Sequence, residues 1–113
     1  RGSAVLSSPA ERAVLVLNGA PAGEVPDEFA LEQNHPNPFN PATTIRYALP
    51  EPVRVQLKLY NLLGQEIVTL VDEVQEAGYR SVRFDGSVYP SGIYIYRISA
   101  GPFTESRKML LLK

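Results

Sequence analysis

Polar and apolar positions alternate most cleanly over Val53–Tyr60. Val53, Val55, Leu57 and Leu59 fall on one side, and Arg54, Gln56, Lys58 and Tyr60 on the other. Successive side chains of a strand point to opposite faces, so this stretch reads as a β-strand with one buried and one wet face. Asn61-Leu62-Leu63-Gly64 stops it, because Asn favours turns and Gly tolerates positive φ. Gln65–Val71 resumes a strand pattern, which predicts a hairpin. Further strands are expected at Phe29–Gln33, Thr43–Leu49, Tyr79–Phe84, Gly92–Ile98 and Phe103–Leu112. Ile45, Tyr47 and Leu49 should point inward, and Val82 and Phe84 should share one face of their strand. Gly92–Ile98 is rich in aromatic and β-branched residues, as suits a central strand. Asp72-Glu73 predicts a break, and Val74–Gly78 an irregular or short extended link in preference to a helical turn. Strands recurring roughly every ten residues between Gly, Pro and Asn turns indicate an all-β sandwich or barrel. Two stacked antiparallel sheets with about seven strands fit best.

Between the first two expected strands runs Asn34-His35-Pro36-Asn37-Pro38-Phe39-Asn40-Pro41. Its three prolines remove backbone donors and bias the preceding residues to extended conformations. It is therefore an ordered crossover, anchored by a buried Phe39, with Asn37 and Asn40 free to bond local backbone. Residues 1–27 have two readings. They are the tail and linker of an upstream region, or Ala13–Leu17 adds an edge strand, which if orphaned could pair two molecules into a dimer. Arg1-Gly2-Ser3 looks like a cloning scar. The domain proper is expected at 28–113.

With 113 residues the chain holds one core. A net charge of −1 with scattered Lys and Arg argues against a nucleic-acid footprint. The absence of cysteine excludes disulfides and thiol chemistry. Ala13–Leu17 is the longest apolar run, too short for a membrane span or a signal-peptide core.

Catalytic chemistry finds little material. His35 is the sole histidine and sits in the proline-locked crossover, an unsuitable base for a triad and too few ligands for a histidine metal site. Asp27, Glu28, Asp72, Glu73 and Asp85 could supply calcium oxygens, but no EF-hand loop is present. The same carboxylates lie near turns, where acids commonly serve solubility, so glycosidase chemistry is disfavoured. No phosphate-binding glycine loop occurs. Tyr60, Tyr79 and Tyr94 could form a sugar-stacking row, although tyrosines in a small sandwich more often bury their rings.

Five motifs occur in order. They are Asn37-Pro38-Phe39-Asn40-Pro41 leading to Thr43, Ile45, Tyr47, Leu49 and Pro50; Tyr60-Asn61-Leu62-Leu63-Gly64-Gln65-Glu66; Asp85-Gly86; Ser91-Gly92-Ile93-Tyr94-Ile95-Tyr96-Arg97; and Arg107–Lys113. Together they resemble the type A C-terminal sorting domain of the bacterial type IX (Por) secretion system, over about Phe29–Lys113. The Asn-Pro-Phe-Asn-Pro form is also similar to the Ig-like domain of the flagellar hook-capping protein. The resemblance implies an Ig-like β-sandwich, without enzymatic activity or cofactor, that ends a larger exported protein. It implies passage through the periplasm, recognition by the outer-membrane translocon, and a surface sortase that cuts around Ala20–Glu28 and anchors the cargo. The family's recognition motifs carry over to Asn37 and Pro38, to Tyr60, Leu62 and Gly64, to Gly92 and Tyr94, and to Lys108 with Leu110, Leu112 and Lys113.

The chain end offers a physical form for such a signal. Met109–Leu112 is apolar on both faces, so it should lie deep between sheets or meet a partner, through strand addition or side-chain docking. The rival functions are a carbohydrate-binding or spacer module of a polysaccharide-degrading enzyme, and a self-assembling domain.

Overall fold

The computed structural model describes residues 16–17, 20–21 and 25–113. A short pair, β1 (Val16–Leu17) and β2 (Ala20–Pro21), forms an antiparallel sheet of its own. The remainder of the expected Ala13–Leu17 strand, 13–15, lies outside the described residues.

Seven strands build the sandwich: β3 (Ala30–Leu31), β4 (Ala42–Leu49), β5 (Val53–Tyr60), β6 (Glu66–Gln75), β7 (Gly78–Asp85), β8 (Gly92–Ala100) and β9 (Phe103–Leu111). One sheet has the order β3-β4-β7 and the other β6-β5-β8-β9, every pair antiparallel. Lettered along the chain, the sheets read A-B-E and D-C-F-G. This is the Ig arrangement with the fourth strand moved to the other sheet. Period-two patterning explains the layering. Val55, Leu57 and Leu59 of β5 are fully buried and face Ile45, Tyr47, Leu49 and Phe84 of the opposite sheet. β8 is the inner strand expected of Gly92–Ile98 and runs two residues further, with Tyr94, Tyr96, Ile98 and Ala100 in the core.

The expected break at Asp72-Glu73 is corrected, because β6 runs on to Gln75. Its register against β5 slips twice, between Leu57 and Lys58 and between Leu59 and Tyr60. Each slip inserts an extra β6 residue and reverses the face of those that follow. Ile67-Val68 and Leu70-Val71 are therefore all half-buried, and Val74 ends up exposed.

The proline crossover leaves β3 and touches both sheets. His35 bridges Thr44 of β4, and Phe39 bridges Leu111 of β9 in parallel. The three X–Pro bonds at Pro36, Pro38 and Pro41 are cis. Phe39 is buried, as expected, edge-on to Phe84 at a centroid distance of 6.0 Å. Beneath the crossover lies a buried polar node. The Asn34 N–H donates to the Tyr96 hydroxyl at 2.8 Å, and that hydroxyl donates to the Glu32 carbonyl at 2.7 Å. Asn34 Nδ2 donates to Thr43 Oγ1 at 3.0 Å, and Thr43 Oγ1 to the Pro36 carbonyl at 2.8 Å. Every member has a partner, which removes the desolvation cost of burying it.

Candidate functional site

The loop after β5 is held by one side chain. Asn61 Oδ1 accepts the N–H groups of Leu63 at 2.9 Å and Gln65 at 3.0 Å, while the Asn61 carbonyl accepts the Gly64 N–H at 3.0 Å. Gly64 sits at φ 82°, where a Cβ would be strained. Thus ordered, the loop carries its two leucines outward: Leu62 and Leu63 are 62% and 83% exposed. This pair on a fixed turn contributes little to the core and leaves apolar surface open to solvent.

Alternation divides the end of β9. Met109 and Leu111 point inward and are buried. Lys108 and Leu110 take the outer face, and Leu112 follows them, 49% exposed. The doubled apolar character of Met109–Leu112 thus serves the core on one side and an open surface on the other. The strand edge here is already occupied. The Phe39 N–H donates to the Leu110 carbonyl at 2.9 Å, the Leu112 N–H to the Phe39 carbonyl at 3.0 Å, and the Leu110 N–H to Asn37 Oδ1 at 3.0 Å. Asn37 therefore bonds backbone far along the chain, where local backbone was expected. Strand addition at residues 110–112 would have to displace the crossover.

Register brings the separated motifs together. Tyr60 pairs with Ile95, Ile95 with Lys108, and Ile93 with Leu110. Tyr60, Lys108 and Leu110 therefore share the outer face of the four-stranded sheet, at the end where β5 stops, β8 starts and β9 stops. The Asn61–Gly64 loop borders this area on one side, and Asn37 and the exposed Pro38 on the other. A depression of about 280 Å³ lies between the loop and Ile95, Arg97 and Ser106. A second, of about 160 Å³, lies between Asn37, Ile93, Lys108 and Leu110. The Lys113 N–H donates to Ser91 Oγ at 3.0 Å, and Lys113 Nζ to the Ser87 carbonyl at 2.6 Å, fixing the chain end beside the β7–β8 loop.

Gly92 and Tyr94 stand apart from this surface. Gly92 opens β8 at φ 151° opposite Leu111. Tyr94 is buried, and its hydroxyl donates to the Pro90 carbonyl at 2.6 Å. A tyrosine near the start of strand F bonding a few residues upstream is the tyrosine corner of Ig-like sandwiches. Burial pushes its phenol pKa up. The sugar-row candidates do not align. Tyr94 lies in the core, Tyr60 on the outer face of the four-stranded sheet, and Tyr79 is exposed on β7 of the other sheet. His35 is exposed, and among the described residues no three His, Cys, Asp or Glu side chains converge as metal ligands.

Sequence reasoning read Asn61 as a turn former but not the two backbone N–H groups its side chain holds, and it missed Ile93, Ile95 and Arg97 as the centre of the face. Their spacing of two along β8 was the available signal.

Most of the motif residues thus gather on an open sheet face and a rigid loop, at one end of the four-stranded sheet. The chain belongs to the family described as the secretion system C-terminal sorting domain, whose model matches residues 34–112. It is thus a sorting signal for type IX secretion, of a family without catalytic activity, and it serves a larger cargo protein destined for secretion or the cell surface. No curated protein matches the sequence.

Proposed function

We propose that the outer face of the four-stranded sheet, at the end carrying the Tyr60–Gly64 loop and the C-terminal strand, is what the outer-membrane translocon reads after the cargo has crossed the periplasm. The observation carrying this reading is the convergence of Asn37, Tyr60, Leu62, Gly64, Lys108 and Leu110 on one end of one sheet. Nothing in the core requires the outward Leu62, Leu63, Leu110 and Leu112. The upstream chain enters at the opposite end, where Phe29 stacks on Phe103 at a centroid distance of 5.4 Å. A cargo leaving from that end would lie away from the read surface. A surface sortase acting around Ala20–Glu28 would work at that cargo end.

The test fuses a passenger upstream of the full chain and measures its appearance on the cell surface. Leu62→Ser with Leu110→Ser should abolish export while leaving thermal unfolding within a few degrees of wild type, since outward residues contribute little to stability. Normal export by the altered face would refute the reading. Deleting Lys108–Lys113 should also abolish export, but it removes buried Met109 and Leu111 as well, so the paired outward substitutions are the sharper probe.

A further inference from the structure

The read face carries a charge conflict. Lys58 and Arg97 are direct cross-strand partners, and both project outward. Like charges so placed repel. Glu66 answers Lys58 at 3.4 Å, and Asp72 answers Arg54 at 2.6 Å. Among the described residues, no acid pairs with Arg97 or Lys108. Each of these two exposed cations instead borders one of the depressions, Arg97 beside Tyr60 and Ile95, Lys108 beside Ile93 and Leu110. Because Ile95 pairs with Lys108 and Arg97 with Ser106, the two cations are diagonal neighbours, with Cα atoms about 7–8 Å apart. Alternate residues of an extended strand are separated by nearly the same distance, about 6.5–7 Å.

Resting on the face assigned above, we infer that its occupant is an extended segment of a receptor protein with Asp or Glu at alternate positions flanked by apolar side chains. The carboxylates meet Arg97 and Lys108, and the apolar groups fill the depressions over Ile93, Ile95 and Leu110. Charge complementarity decides for this partner. A generic anionic surface such as a lipid headgroup layer is attracted by clustered excess positive charge. Here Glu66 and Asp72 neutralise the rest of the face, and the chain's net charge is −1.

The test uses the same passenger fused to the full chain. Arg97→Glu with Lys108→Glu should lower surface export by about tenfold or more, because a reversed charge meets a like charge in the complex. Arg97→Lys with Lys108→Arg should retain export, and all variants should unfold at the wild-type temperature. Second-site changes in the secretion machinery that rescue the double reversal should replace Asp or Glu by Lys or Arg. Wild-type export by Arg97→Gln with Lys108→Gln overturns the acidic partner, while leaving the face intact if Leu62→Ser with Leu110→Ser still fails. Binding of the wild-type chain to phosphatidylglycerol vesicles that vanishes in the double reversal overturns it in favour of a membrane.

Discussion

Tyr96→Phe isolates the buried polar node under the crossover. Tyr96 is 0% exposed, and its hydroxyl both accepts the Asn34 N–H and donates to the Glu32 carbonyl. Removing one oxygen strands a buried donor, because Asn34 is itself buried, while Glu32 lies near water and its carbonyl can be rehydrated. A stranded buried donor costs about 1–3 kcal/mol. In a domain of this size about 1 kcal/mol moves Tm by about 4–8 °C, so Tm should fall by about 5–20 °C. The same substitution has a pH signature. Burial pushes the Tyr96 phenol up to about 12, above the ordinary value of 10.0. The folded protein then keeps a proton that the unfolded chain releases. That stability is complete below about pH 10 and falls by up to ~1.4 kcal/mol per pH unit as pH rises towards about 12. Tyr47 and Tyr94 are also raised, so some alkaline sensitivity persists in the variant, but its slope should be shallower. Urea unfolding at neutral pH and at several values above 10 measures both effects. A variant within about 0.5 kcal/mol of wild type whose alkaline limb is unaltered would refute the reasoning.

Leu111→Ala should cost about 2–5 kcal/mol by urea unfolding, since Leu111 is fully buried against Phe39 and Gly86; a loss no larger than that of an outward residue would contradict the inward assignment. Gly64→Ala should destabilise by about 1–2 kcal/mol through backbone strain alone, because open space surrounds the position at φ 82°. Gly64→Asn should cost less, as Asn tolerates left-handed backbone, and equal losses for the two would point to a steric cause instead.

Alternation along 43–49 and 53–60 was enough to read those strands and their inward residues, because the face a side chain takes follows from position parity once a strand exists. Phe39 was legible as an anchor because it is the one large apolar group in a segment that prolines keep out of the sheets. The end of β6 was not legible. Bulges are set by how two strands twist together, and each reverses parity from that residue onward, so Asp72-Glu73 looked like a stop inside a continuous strand. Tyr94 looked like part of a surface signal within its motif, and only the pairing of β8 between β5 and β9 turned it into the core.

The chain alone determined the all-β class, the inward and outward sets of 43–49 and 53–60, the stiff proline crossover and the turn at Asn61–Gly64. These depend on local sterics and on side-chain period, which act within a few residues. Tertiary structure decided that Tyr60, Ile95 and Lys108 form one row, that Asn37 closes the edge of β9, and that Arg97 faces Lys58. Those meetings follow from which strands pair and in what register. Register is chosen by the whole buried face at once, since slipping one residue would turn Met109 and Leu111 to water and Lys108 and Leu110 into the core.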